Sequence, residues 1–150
     1  MIFISHRGNI NGAIKERENT VSYINEALSL GFNVEVDVWY KNNSFYLGHD
    51  NPKTKINTKF LKNENLWCHA KNFEAIEMSK KNNLHFFWHQ KDDYTLTSKG
   101  IIWTYPGKKL FKNSINLMPE IQEKKFSFRK KYLGICSDYI QHYKNIYKKK

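Results

Sequence analysis

Hydrophobic and polar positions repeat with two different periods along this chain, and the switches between them outline its elements. "MIFIS" is a short apolar run that reads as a buried strand, and it delivers His6-Arg7-Gly8-Asn9 at its end. A polar loop over 9–18 follows. Val21, Ile24, Ala27 and Leu28 then recur at helical spacing, with Asn19 or Thr20 able to cap the start and Gly31 able to end the helix. The period drops to two over the next run, where Val34, Val36 and Val38 alternate with Glu35, Asp37 and Trp39. Asn42-Asn43 supplies a tight turn into a second strand, Ser44 to Asp50.

The later pattern predicts a strand at 65–71 and a helix at 72–83 with Phe73, Ile76 and Glu77-Met78 on its buried side. Strands are expected at 84–90, on both sides of Ser98-Lys99-Gly100 up to a Pro106-Gly107 loop, and at 114–120. A charged amphipathic segment over 123–132 and a last strand over 132–139 complete the pattern. Strands alternating with helices imply a largely parallel sheet. In the second half too few residues separate the strands for full helices, so the architecture is abbreviated there.

Composition narrows the class. A chain of 150 residues suits a single domain, 1–150, and 40% hydrophobic with 15% aromatic residues excludes disorder. No apolar run approaches the roughly 20 residues that span a bilayer, and the N-terminus lacks a secretory pattern, so a cytoplasmic location is expected. Cys68 and Cys136 sit in apolar contexts with no CxxC spacing and read as core thiols. The net charge of +11 invites a nucleic-acid reading. The lysines are scattered, however, and accompany abundant asparagine, isoleucine and tyrosine, so nucleic acid is not the expected partner. A solvated basic tail is expected over 143–150, with contact to acidic membrane headgroups as its functional alternative.

The candidate chemistry lies at strand ends. Glu35 and Asp37 point the same way, about 7 Å apart along a strand. An acid pair suits a hard divalent cation, His6 and His49 suit proton transfer, and Arg7 with Lys71 suits an anion. Together they describe phosphoester chemistry.

In order, His6-Arg7-Gly8, Glu18-Asn19-Thr20, Glu35 with Asp37, and His49-Asp50 resemble the motifs of the glycerophosphodiester phosphodiesterase family, within the wider group of phosphatidylinositol-specific phospholipase C-like barrels. The resemblance covers the first third of the chain, and "LWCHAK" and "GICSDY" are similar to later family strands. It implies an α/β fold, a compressed or incomplete TIM-type (β/α) barrel with helices lost in the second half. It also implies a hydrolase of lipid metabolism acting on a glycerophosphodiester or a related headgroup or glycan phosphodiester. His6 and His49 would be the acid/base pair. Glu35 and Asp37 would hold Mg²⁺ or Ca²⁺, with Mn²⁺ a further choice. His69 stands where the family carries a glutamate; it either ligates, which favours Mn²⁺ or Zn²⁺, or touches substrate. Arg7 and Lys71 would contact phosphate, Glu18 would support the site, and Trp39 is a pocket candidate. Trp88, His89, Gln90, Trp103 and Tyr105 either floor that pocket or belong to the core. The alternative is a catalytically degenerate barrel that binds an anionic ligand or partner.

Overall fold

The computed structural model describes residues 1–121 and 132–149. It is a mixed α/β structure in which ten strands form one large mixed sheet, accompanied by four helices. Strand β1 (Ile2–His6), helix α1 (Val21–Ser29) and strand β2 (Asn33–Lys41) open the chain. The hairpin β3 (Ser44–Leu47) and β4 (Thr54–Ile56) and the short helix α2 (Thr58–Leu61) precede β5 (Leu66–Ala70), α3 (Phe73–Lys81) and β6 (Phe86–Trp88). Strands β7 (Tyr94–Leu96), β8 (Ile102–Thr104) and β9 (Ser114–Leu117) follow, then a 3₁₀ turn at Pro119–Ile121, β10 (Gly134–Ser137) and α4 (Ile140–Lys148).

A parallel path runs β6-β5-β2-β1-β10-β9-β8. The hairpin pairs antiparallel with β2, and β7 pairs antiparallel with β8. The sheet curls enough to bring β6 against the β7–β8 region. Phe87 of β6 stacks on Trp103 of β8 with ring centroids 4.5 Å apart, and the Ser98 N–H donates to the Phe86 carbonyl at 2.7 Å. Among the described residues no helix lies between β6 and β9, in line with the short spacings there.

Alternation along the strands divides the interior into two layers. Val34, Val36, Val38, Leu66, Cys68 and Ile135 pack outward against Ile24 and Ala27 of α1 and Ile140 of α4. Ile4, Trp67, Phe87, Trp103, Ile115 and Cys136 fill the inside of the curl. The helices begin where their caps allow. The Thr20 hydroxyl accepts from the Tyr23 N–H at 3.4 Å, and the Asn72 side chain accepts from Ala75 and from Tyr40 of β2. At the end of α1, Gly31 adopts φ +75°, and the N–H groups of Gly31 and Phe32 return to the carbonyls of Leu28 and Ala27.

Several expectations are corrected. Phe73 is 71% exposed, and α3 buries Ala75 and Ser79 instead. The strand expected over 44–50 stops at Leu47, and β4 with α2 was not foreseen. The expected tail over 143–150 lies largely in helix α4, where Tyr143 is buried with Ile140, while Asn145, Tyr147, Lys148 and Lys149 are exposed as expected. Lys144 of α4 donates to the Leu30 carbonyl and lies over the Phe32 ring. The charged segment over 123–131 lies outside the described residues. No helix among the described residues is long and apolar enough to cross a membrane.

Candidate active site

The same alternation that builds the inner layer places a polar residue beyond it on strand after strand. In β1 Ile4 is followed two positions on by His6, and in β5 Trp67 is followed by His69 and then Lys71. Phe87 leads to His89, Trp103 to Tyr105, and Cys136 to Asp138. Parallel strands share one C-terminal end, so these second residues converge. The register makes the convergence specific: His6 pairs with Glu35, and Asp37 pairs with His69. Most of them meet at a cavity of about 430 Å³ lined by His6, Arg7, Glu35, His49, His69 and Lys71 together with Trp88, His89, Gln90 and Tyr105.

Asp37 is fully buried and heavily contacted. One oxygen lies 3.1 Å from His69 Nδ1 and 3.4 Å from Lys71 Nζ. The other lies 3.0 Å from Arg7 Nε and accepts from the Asn19 side chain at 2.9 Å. Burial alone would raise its pKa, but the His69 hydrogen bond and the Arg7 and Lys71 charges hold it well below the carboxylate range. Glu35 is equally buried but differently served. Its nearest cationic groups are His69 Nδ1 at 3.7 Å and His6 Nε2 at 3.9 Å, and among the described residues Oε2 has no hydrogen-bond partner. Burial and the neighbouring Asp37 charge push its pKa up.

Glu35, Asp37 and His69 each offer one ligand atom, and these atoms lie within 4.8 Å of one another. His69 Nε2 donates to the His89 carbonyl at 2.9 Å, and its ring lies parallel to Phe87 at 5.0 Å. A neutral His69 therefore turns the Nδ1 lone pair toward both carboxylates. That arrangement calls for a proton on Nδ1 or a cation between the three groups. With the orphaned Glu35 oxygen, the donor set fits a divalent cation, and its imidazole suits Mn²⁺ or Zn²⁺ better than an all-oxygen site would.

His6 is held from behind. Its Nδ1 is 2.8 Å from an Asp138 oxygen, which also accepts from Asn9 at 2.8 Å. Burial would depress the His6 pKa, but the Asp138 hydrogen bond and the Glu35 charge carry it above the ordinary histidine value. Asn9 also donates to Glu18, and Glu18 accepts from Arg7 at 3.2 Å. Glu18 thus braces Arg7 and Asn9. Arg7 itself sits at φ +56°, a conformation costing about 1–2 kcal/mol for a residue with a Cβ. Its N–H donates to the Glu35 carbonyl and its carbonyl accepts from the Asn19 N–H, which fixes that turn. Gly8 follows at φ +96°, and a Cβ there would lie 2.8 Å from Tyr23.

His49 lines the cavity from its open side, with Nδ1 2.6 Å from Asp50. Trp39 is not among the lining residues; its indole N–H donates to the Gly48 carbonyl at 2.7 Å and so holds the segment that carries His49. Trp103 is buried in the core and also lines the cavity, whereas Tyr105 is 46% exposed at the cavity wall. Sequence reasoning missed Asp138, Asn9 and Asn19. All three stood inside stretches already quoted, and the apolar-x-polar step that singles out His6 is repeated at Cys136-x-Asp138.

Comparison of the chain with protein-family models, with curated proteins and with solved structures found no match in any of the three.

Proposed function

We propose that this chain is a metal-dependent phosphodiester hydrolase on a shortened TIM-type barrel, similar to the glycerophosphodiester phosphodiesterases. Its substrate on this reading is a glycerophosphodiester or a related headgroup or glycan phosphodiester. One observation carries the proposal: the Glu35, Asp37 and His69 cluster, two histidines and the Arg7 and Lys71 cations line or underlie a single cavity. A divalent cation held by the three ligands would neutralise charge on the phosphoryl oxygens. Arg7 and Lys71 bind the remaining phosphate oxygen. His49 takes a proton from the attacking water as its oxygen bonds to phosphorus. The opposite P–O bond breaks, and His6, kept protonated by Asp138 and Glu35, gives its Nε2 proton to the leaving alkoxide. The products are a phosphomonoester and an alcohol.

Purified protein incubated with Mg²⁺, Ca²⁺ or Mn²⁺ should cleave glycerophosphodiesters, and His6→Ala or His49→Ala should abolish that activity. Absence of turnover with every metal across a diester panel would refute the proposal. A second reading, a binding protein for anionic diesters, is favoured by the ion pairs of Asp37 with Arg7, His69 and Lys71, which balance its charge without a metal. It expects stabilisation by a diester that is recovered intact.

A further inference from the structure

His89 lines the same cavity as the acid pair's His69 neighbour, and its imidazole has an unusual position. Both ring nitrogens are shielded from solvent, and among the described residues neither has a hydrogen-bond partner. A shielded imidazole without partners forfeits the hydrogen bonds it makes in water, so such a group is kept where a ligand can supply them. Its place relative to the reacting centre is defined. The His89 carbonyl accepts from His69 Nε2, and the His89 ring lies 6.4 Å from the His69 ring and 5.5 Å from that of Tyr105. A phosphodiester bound through a cation at Glu35, Asp37 and His69 would have room for one ester arm beside His89 in the same cavity.

We infer that His89, with Gln90 and Tyr105, forms the subsite for the alcohol arm of the diester, and that it takes an uncharged polyol rather than a cationic amino alcohol. The inference rests on the phosphodiesterase reading. Hydrogen bonding decides between the two arms. A quaternary ammonium has neither an N–H nor a lone pair, so it would leave both shielded His89 nitrogens unpaired. A neutral imidazole offers one donor and one acceptor, and neighbouring hydroxyls on a polyol match both after a turn of the ring. The phenol of Tyr105, half exposed beside it, offers an aromatic face for the carbon side of a glycerol, inositol or sugar ring.

The test compares kcat and KM for glycerophosphoglycerol and glycerophosphoinositol with those for glycerophosphocholine. Wild type should favour the polyol diesters. His89→Phe should lower that preference about tenfold, the effect of one lost hydrogen bond, by raising KM for the polyols alone. His89→Gln, which keeps a donor and an acceptor, should retain most of it. Equal use of the choline diester, or an unchanged preference in a folded His89→Phe protein, overturns the subsite while leaving the hydrolase intact. If wild type cleaves no diester, the phosphodiesterase reading fails, and binding decides the subsite. Histidine ¹⁵N signals of His89 should then shift with glycerol 3-phosphate and not with phosphocholine; no shift with either overturns it.

Discussion

Replacing Glu35 by glutamine removes a charge while keeping the shape of the side chain, and its effect should reverse sign when a divalent cation is added. In the protein alone the Glu35 carboxylate is 2% exposed, its two nearest cationic nitrogens stand at 3.7 and 3.9 Å, and Asp37 lies two residues away on the same face. Those distances exceed a hydrogen bond, and among the described residues Glu35 Oε2 has no hydrogen-bond partner to offset its desolvation. Its pKa is raised, chiefly by burial and then by Asp37. The linkage sign follows: the folded state holds the Glu35 proton longer than the unfolded chain, so stability falls as pH rises from the ordinary value of 4.5 through the raised one. Above that window the glutamine variant should gain about 1–2 kcal/mol, a Tm rise of about 2–8 °C for a chain of this size. The gain should vanish toward the ordinary glutamate value. With Mn²⁺ the order inverts, because a cation at a hundredfold excess over Kd stabilises wild type by about 2.7 kcal/mol and the variant has lost a ligand. Thermal unfolding followed by circular dichroism, first in chelator and then with Mn²⁺, measures both arms. A variant less stable than wild type in chelator would refute the reasoning, since it would mean that the carboxylate is well served by donors.

Asp138→Asn should leave the fold intact, lower kcat for diester cleavage about 10–100-fold, and move the His6-dependent limb of the pH–rate profile toward lower pH, because the Asp138 hydrogen bond raises the His6 pKa. Gly8→Ala should cost about 2–4 kcal/mol in denaturant unfolding, combining the strain of φ +96° with a Cβ 2.8 Å from Tyr23. Stability in chelator should peak near the ordinary histidine value of 6.5, because the lowered His85 and His89 destabilise the fold as pH falls below that value toward their lowered ones. The lowered Asp37 and Asp138 contribute above the ordinary aspartate value of 3.8 and lose that contribution as pH falls through their lowered values. The raised His6 contributes below the ordinary histidine value of 6.5 and loses its contribution as pH rises through its raised value. Urea midpoints across this range check the shape, and a maximum above neutral pH would contradict it.

Much of the site was legible because local patterns carry it. The alternation of Val34, Val36 and Val38 with Glu35 and Asp37 requires two acids on one face wherever the strand lies. The Thr20 cap and the Gly31 terminus follow from local backbone chemistry in the same way. What failed was mostly burial set by neighbours from elsewhere in the chain. Phe73 has the right spacing for a buried position but faces solvent, and residues 140–148 form a helix because Ile140 and Tyr143 find a core to enter.

The sequence alone therefore determined which residues share a strand face and which motifs carry acids, imidazoles and cations, since these depend on backbone periodicity and residue chemistry. Only the tertiary structure decided that Asp138, 132 positions from His6, would hold its imidazole. Only the pairing of β2 with β5 set Asp37 beside His69. It also separated two neighbouring acids that look equivalent in sequence: Asp37 is surrounded by cationic groups that lower its pKa, whereas Glu35, whose Oε2 has no hydrogen-bond partner among the described residues, holds its proton more tightly. That difference arises from distances of 3–4 Å between residues on different strands, which register and curl create and local pattern does not encode.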